Sequence, residues 1–275
     1  MASNLRVQAG RRRPEGAARG VLFVAMAWAL ALLVVPLVFL VVAVAGDAAR
    51  VARELTSAGA LDALARSVVV AGIVVGVNTV LGVAGALVLV RDRFVGRRVL
   101  DALVDLPLAL SPVMTGLAFL LLFGRDGLFA PVLAATGVRV AFALPGVVLA
   151  TCFVTLPFVL REAALVLEEV GDSEEQAAAT LGATPWQTFW RVTLPNLRVG
   201  LVPGLTLTLA RALGEFGAVL VVGGAIGGRT ETATTFLHGA LEERRDAAAY
   251  GMALVLAALS VALLAFLQRD HKDTT

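Results

Sequence analysis

Long uncharged stretches recur along the chain and predict helices that span a membrane. A spanning helix needs about 20 mostly apolar residues, because each residue rises about 1.5 Å through a hydrocarbon core about 30 Å thick. The stretches are continuous rather than alternating and are rich in Ala and Leu, which disfavours membrane strands. The pattern therefore predicts an all-α integral membrane protein with six transmembrane helices, at 20–46, 67–90, 106–124, 140–160, 199–222 and 247–268.

The composition supports this prediction. Hydrophobic residues make up 59% of the chain and charged residues 16%, with a mean hydropathy of +0.87, whereas soluble domains are about 45–50% apolar and about 25% charged. The net charge of +2 is typical of arginine-bearing cytoplasmic loops and does not indicate a nucleic-acid partner. Cys152 is the single cysteine, and there are two histidines, His238 and His271, so we expect neither a disulfide nor a metal site.

Arginines are unevenly distributed between alternate loops and predict the orientation. The tail at 1–19 contains five arginines, and the loop after the second span contains four more. Cytoplasmic loops are enriched in Arg and Lys, so both termini are predicted to be cytoplasmic. The stretch at 20–46 is too long for a signal-peptide core and is predicted to be retained as the first helix. A core of five spans is then predicted at 66–268, followed by a cytoplasmic tail at 269–275.

The predicted cytoplasmic loop at 161–198 is the longest interior loop and is expected to contain a helical hairpin. Its start extends the fourth span, and Gly171 is expected to end that helix. Asp172 or Ser173 can cap a short helix with acids in its first turn, where they suit the helix dipole. Gly182 is expected to end this short helix. A long loop without low complexity is usually functional.

A second helix of the hairpin is predicted to start at Thr184. Thr184 is a suitable cap, and Pro185 occupies the first helical position, where its missing N–H is not needed. Pro195 is expected to end this helix before the fifth span. The helix contains large apolar side chains that could anchor a partner protein or pack only within the chain, namely Trp186, Phe189 and Trp190.

The spacing of several loop residues resembles a known motif. Gln176-Ala177-Ala178, then three residues, Gly182, nine residues and Val192-Thr193-Leu194-Pro195 match the EAA motif of ABC importer permeases. In that motif Glu-Ala-Ala is followed at the same spacing by Gly and Ile-x-Leu-Pro. Gln176 departs from the usual acid, although Glu175 directly precedes it.

The resemblance extends from about Arg66 to the C-terminus. Two segments narrow it to one group of importer permeases. The segment ARALGEFGAV, at 210–219, looks like the corresponding part of permeases for sulfate, thiosulfate and molybdate. The segment at 227–251 resembles the outward loop of sulfate-type subunits. This resemblance implies a type I ABC importer permease bundle in the bacterial plasma membrane.

The resemblance also implies partners. The chain has no G-x-x-x-x-G-K-[ST] phosphate loop, so ATP and Mg would be used by a separate cytoplasmic ATPase dimer, and this chain would bind no cofactor. A second permease subunit, identical or related, and an extracytoplasmic anion-binding protein would complete the importer. The residues implied to couple to the ATPase are Glu175, Gln176, Ala177, Ala178, Gly182, Ala183, Thr184, Pro185, Trp186 and Pro195.

Two charges interrupt the fifth predicted span. Arg211 and Glu215 are four residues apart and are expected to share one helix face. A charge at a helix centre costs about 2.5–3.5 kcal/mol or more, so such residues normally face the bundle interior or water. They could form an ion pair that locks the fifth helix to a neighbour, or Arg211 could lie on the translocation pathway and attract an oxyanion. A gate or subunit-interface role is a third possibility.

Further residues are candidates for the pathway or for ordinary packing. Asn78 is expected to form a hydrogen bond between helices, and His238 is expected to be a surface residue. The segment at 103–116 resembles the proline-containing segment near the pore and gate of these permeases, so Pro107, Ser111 and Pro112 are implied to lie there, and a kinked packing helix is the alternative. Gly214 is a small residue that could allow close helix contact on the pathway.

Four functions remain in consideration at this level. Import of sulfate or thiosulfate is the leading hypothesis, and import of molybdate or tungstate by the same kind of machine is its alternative. A secondary anion transporter would not explain the EAA spacing. A membrane-embedded enzyme would need clustered reactive groups in the spans, and we identify no catalytic residue there.

Overall fold

The computed structural model describes the backbone of residues 15–273, with side chains described from residue 20 and excluding 264 and 267–273. Most of the predicted basic tail at 1–19, and residues 274–275, lie outside this description. Within it the chain forms helices and no strands. They are α1 (Glu15–Gly46), α2 (Ala48–Leu55), α3 (Ala58–Arg91), α4 (Arg97–Ala109), α5 (Pro112–Phe123), α6 (Ala130–Thr136), α7 (Leu144–Val170), α8 (Ser173–Thr180), α9 (Pro185–Thr188), α10 (Leu194–Leu213), α11 (Gly217–Gly223), α12 (Ala233–Glu242) and α13 (Asp246–Asp273), with a π-helical turn at Phe189–Thr193 between α9 and α10.

The chain divides into two compact units near Ala48. The first unit consists of α1, whose segment Gly20–Gly46 has a mean hydropathy of 2.9 and no buried residue. A helix that is apolar on all sides is suited to a lipid environment. Pro36 lies inside this helix, which membrane helices tolerate better than soluble ones.

The second unit is built around α3, α7 and α10. Their contact is a cluster of buried aliphatic side chains that includes Val159 and Leu197. Small residues allow close approach: a methyl group on Gly82 of α3 would lie 3.0 Å from Cβ of Val159. The predicted hydrogen bond between helices at Asn78 is confirmed, because Nδ2 of Asn78 donates to the carbonyl of Cys152 and to Oγ1 of Thr155 on α7.

Four helices are individually long and apolar enough to cross a membrane, and two bent pairs would bring the number to six. The prediction of continuous helices at 106–124 and 199–222 is therefore wrong in detail. The first is a pair, α4 and α5, bent by 113°, and in the second α10 and α11 are bent by 55°. Pro112 explains one break, because it has no N–H with which to continue α4.

The other correction concerns Pro195, which does not end a helix. It is the second residue of α10, and the helix continues from α9 through the π-helical turn. The N–H of Leu194 donates to the carbonyl of Phe189, five residues back. A π turn inserts one extra residue into the helix. Pro195 lies just after this turn, and the helix continues although Pro195 has no N–H to donate. The hairpin is consequently joined rigidly to α10.

Polar contacts attach α12 to the start of α3, at the opposite end of that helix from Arg91. Arg66 donates to the carbonyl of Glu231 at 2.9 Å, and the N–H of Ala233 donates to Oγ of Ser67 at 2.8 Å. Burial raises the pKa of the Glu231 carboxyl, and the charge of Arg66 partly opposes this. Twenty-five residues of α3 separate Arg66 from Arg91, which is about 37 Å of helix.

Candidate functional site

The hairpin, defined as residues 172–190, has the two helices that the sequence predicts. Gly182 has a φ of +82°, and its N–H donates to the carbonyl of Ala179 while that of Ala183 donates to Ala178. This is the Schellman pattern, which glycine favours because it has no Cβ. Thr184 caps α9 in a reciprocal capping box with Gln187. The predicted ends at Gly182 and Thr184 are confirmed.

The hairpin exposes a large apolar surface. Leu181 is 88% exposed and Trp186 68% exposed. Trp186 packs edge-on against Trp190, with ring centroids 5.5 Å apart, and also lies beside Phe189. Ala177 is also exposed on α8, whereas Ala178 is half-buried. Exposed aromatic side chains next to small residues are suited to binding another protein.

A polar network at the base of the hairpin was missed by the sequence analysis. Arg91, the last residue of α3, binds Glu175 of α8 with 3.0 Å between Nε and Oε2. Its Nη1 donates to the carbonyl of Leu167 at 3.0 Å and its Nη2 to that of Gly171 at 2.6 Å. From the sequence, Arg91 was considered only as one of the loop arginines that indicate membrane orientation. Glu175, the acid directly before the EAA-type motif, was the one signal in the sequence that could have suggested a basic partner for this helix.

Neighbouring acids of α8 also bind the π turn and the start of α10. Thr193 donates to Oε1 of Glu175 at 2.8 Å, and Asn196 donates to Oε2 of Glu174 at 2.6 Å. Gln176 is not part of this network, because its side chain donates to Asp172, the residue that precedes α8. Glu175 rather than Gln176 therefore connects α8 to the membrane helices.

The two helix breaks meet in space. A methyl group on Gly217, at the start of α11, would lie 3.0 Å from Cβ of Pro112 at the start of α5. A methyl group on Gly116 would lie 2.9 Å from the carbonyl oxygen of Ala218 and 2.7 Å from Cβ of Val221. The structure thus places two short helices side by side, each beginning at a break. Discontinuous helices of this kind form substrate sites in transporters.

Glu215 lies in the break between α10 and α11, so the expectation that it shares a helix face with Arg211 is wrong. The helix ends at Leu213. The ion pair nevertheless forms, with 2.7 Å between Nη1 of Arg211 and Oε2 of Glu215, whose side chain is 1% exposed. The contact is electrostatic rather than an aligned hydrogen bond. Oε1 accepts the N–H of Ala218 at 3.0 Å and thereby anchors the start of α11.

Side chains of α12 cover this break. Thr234 donates to the carbonyl of Glu215 at 2.7 Å. The His238 ring packs edge-on against Phe216 with centroids 5.0 Å apart, and it lies 3.3 Å from Glu242. His238 is therefore partly exposed, as expected, but it also contacts the break. Gly214 is exposed within the break, and the Arg211 side chain remains 35% exposed.

The remaining predicted residues lie at the bend between α4 and α5. Pro107 is buried inside α4, Ser111 precedes the first turn of α5, and Pro112 begins it. Arg161 of α7, which the sequence analysis did not select, holds α4 in place. It binds Asp101 at 2.6 Å and Asp105 at 2.7 Å.

Within the described residues no group of three or more His, Cys, Asp or Glu side chains is arranged to hold a metal ion. The features that the structure brings together are thus an exposed apolar surface on the hairpin, a polar network beneath it, and a pair of helix breaks, one of which contains an ion pair with a buried glutamate.

Comparison with known proteins agrees with these features. A family model described as "Binding-protein-dependent transport system inner membrane component" matches residues 69–271. The chain is 50% identical over 204 residues to the chloroplastic sulfate permease 2 of Chlamydomonas reinhardtii, which is 74% of this chain and 55% of that protein. It is 49% identical over 203 residues to the sulfate transport system permease protein CysW of a Synechocystis strain, covering 74% of each.

More distant comparisons show a second sulfate permease and the fold. The sulfate transport system permease protein CysT of Escherichia coli K12 is 43% identical over 187 residues, 68% of each chain. A chain of a bacterial ABC transporter involved in alginate import has a TM-score of 0.75 at 17% identity, with 96% and 97% coverage. The protein therefore belongs to the family of binding-protein-dependent transport system inner membrane components and has the fold of ABC importer permeases.

Proposed function

We propose that the chain is a multi-pass permease subunit of an ATP-driven importer of sulfate or thiosulfate. The observation that carries the proposal is the 49% identity to a sulfate permease over 74% of both chains. The chain itself supplies the membrane passage and the docking surface. ATP hydrolysis belongs to a separate ATPase, since the permease family is not itself catalytic.

Orientation follows from the arginines and the hairpin. Arg91, Arg93, Arg97 and Arg98 lie at the same end of α3 as the hairpin, and cytoplasmic loops are enriched in such residues. The hairpin then faces the cytoplasm, where the ATPase would dock on its apolar surface. The termini are cytoplasmic in this arrangement, and α12 faces the extracytoplasmic binding protein.

A second permease subunit would complete the passage. The chain is similar to both CysW and CysT sulfate permeases, at 49% and 43% identity, so a related partner is the proposed assembly. Two subunits that rock against each other would open the passage alternately to each side. The paired breaks at Pro112 and Gly217 are the proposed gate region, because short helices that begin inside a bundle can shift without unfolding a whole span.

Uptake of labelled sulfate tests the proposed substrate. Cells that lack their own sulfate importer would express this chain with its partner permease, ATPase and binding protein. We expect ATP-dependent uptake of sulfate that excess thiosulfate suppresses and an equal concentration of molybdate does not. Uptake of labelled molybdate without uptake of sulfate would contradict the proposal and favour the molybdate alternative.

Replacing Trp186 with alanine is expected to weaken ATPase binding by about 30-fold, because central aromatic anchors contribute about 2 kcal/mol or more to interfaces. The measurement is the amount of ATPase that co-purifies with the membrane complex across a titration. Phe266→Ala is the matched control, since Phe266 is 61% exposed and lies outside the hairpin. Equal ATPase retention by the two variants would show that Trp186 is not an anchor.

A further inference from the structure

Arg91 joins α8 to the adjacent ends of α3 and α7, which already pack against each other through a buried aliphatic cluster. Its guanidinium contacts Glu175 on α8 through both Nε and Nη2. The other contacts are to backbone carbonyls of Leu167 and Gly171 at the end of α7. Carbonyls at the end of a helix have few partners within that helix. The Leu167 carbonyl also accepts the Gly171 N–H, and Arg91 adds a second donor there and one to the Gly171 carbonyl. A cation is also favoured there by the helix dipole.

Helix α8 depends on these polar contacts. It has no buried residue, so apolar packing does little to hold it against the membrane helices. The other arm of the hairpin is different, because α9 continues through the π turn into α10. Glu175 adds a contact to Thr193 on that turn. Movement of the hairpin therefore reaches α10 through the backbone, and Arg91 adds a direct side-chain contact between α8 and the end of α3.

We propose that Arg91 is the positioning residue that holds α8 against the ends of α3 and α7, so that these packed helices move together with the hairpin when the ATPase closes. This inference rests on the proposed function, because it assumes that an ATPase docks on the hairpin. The side chains of Arg91 and Glu175 are only 21% and 23% exposed, so water screens their attraction less than it screens a surface pair.

The shape of arginine is needed for this role. The planar guanidinium presents several donors in fixed directions and here reaches one carboxylate and two carbonyls together. Lysine would keep the charge but offers a single nitrogen. Arg91→Lys is therefore expected to retain part of the coupling, and Arg91→Gln very little.

The test is the number of anions imported for each ATP hydrolysed, measured in vesicles containing the complete complex. For Arg91→Gln we expect this ratio to fall about tenfold while ATP hydrolysis continues, a size typical of mutations in coupling networks. Arg91→Lys should give an intermediate ratio. Arg93→Gln removes the same charge two residues away, where the side chain is exposed, and should retain the wild-type ratio.

Hydrogen exchange provides a second readout that does not depend on the transported anion. In Arg91→Gln, backbone amides at 172–184 should exchange faster, while those of the α7 core should be unchanged. A wild-type import ratio and wild-type exchange in Arg91→Gln would overturn the inference, as would an equal loss in Arg93→Gln. If the Arg91→Gln complex does not retain the ATPase, Arg91→Lys becomes the test. A wild-type number of anions imported per ATP in Arg91→Lys would then overturn the inference. A wild-type complex that imports no sulfate contradicts the proposed substrate alone.

Discussion

Replacing Arg211 with alanine is expected to abolish uptake while the complex still assembles. The change leaves the Glu215 carboxylate buried without the cation that lies 2.7 Å away. Removing one partner of a buried pair costs about 3–5 kcal/mol, and the lower end applies here because the Arg211 side chain is 35% exposed. About 3 kcal/mol corresponds to a loss of about 100-fold if the cost falls on one step of the transport cycle. Assembly should survive because the Ala218 N–H continues to bind Glu215 and the hairpin is unaffected. Initial uptake rates and co-purification of the ATPase are the measurements.

A double variant separates the two roles open to Arg211. With Arg211→Gln and Glu215→Gln together, no charge is left unpaired and the acceptor for the Ala218 N–H is kept. If pairing is the role of Arg211, uptake should recover to within about tenfold of wild type, as expected when coupled residues are changed together. If Arg211 attracts the anion, the double variant should remain inactive. Normal uptake by an assembled Arg211→Ala variant would contradict both roles.

Gly116→Val is expected to have the second large effect. Its Cβ would lie 2.7 Å from Cβ of Val221 and 2.9 Å from the carbonyl oxygen of Ala218, distances that real atoms do not tolerate. The helices α5 and α11 would have to separate, and overpacking of this kind costs about 1–3 kcal/mol, occasionally more. We expect a lower melting temperature of the purified complex and a loss of most uptake, because the proposed gate lies at this contact.

Gly76→Val is the matched control for this prediction. Gly76 also lies in a membrane-spanning helix, α3, but a methyl group there meets nothing within 4 Å. The two variants carry the same intrinsic helix propensity change, so a difference between them reports the contact between α5 and α11. Equal stability and uptake in the two variants would show that this contact has no special role.

The predicted ends of the hairpin illustrate what local sequence can establish. A Schellman turn at Gly182 and a capping box at Thr184 need only residues within four or five positions of each other. Both were therefore predictable from the chain, and both are present. Asn78 is a similar case, since an amide inside an apolar helix must find a partner.

The helix breaks illustrate the opposite case. No charge lies at Leu110–Ser111, and apart from Arg211 and Glu215 the stretch around 214–216 is apolar, so the overall apolar pattern predicts continuous spans at both places. Proline and glycine allow a break but do not require one, as Pro195 shows by lying inside a continuous helix. Whether each break forms depends on the packing of the short helix that follows it against a neighbouring helix. Here α5 and α11, which follow the two breaks, pack against each other.

The sequence by itself determined the helical class, the approximate spans, the hairpin and the resemblance to importer permeases, because these follow from composition and short-range spacing. Only the tertiary structure decided that Arg91 binds Glu175, 84 residues away, that Glu215 lies in a break, and that two breaks meet. Such contacts depend on distances between segments far apart in the chain. Many partners are chemically possible for each charge, and only the packing of α3, α7 and α10 selects one.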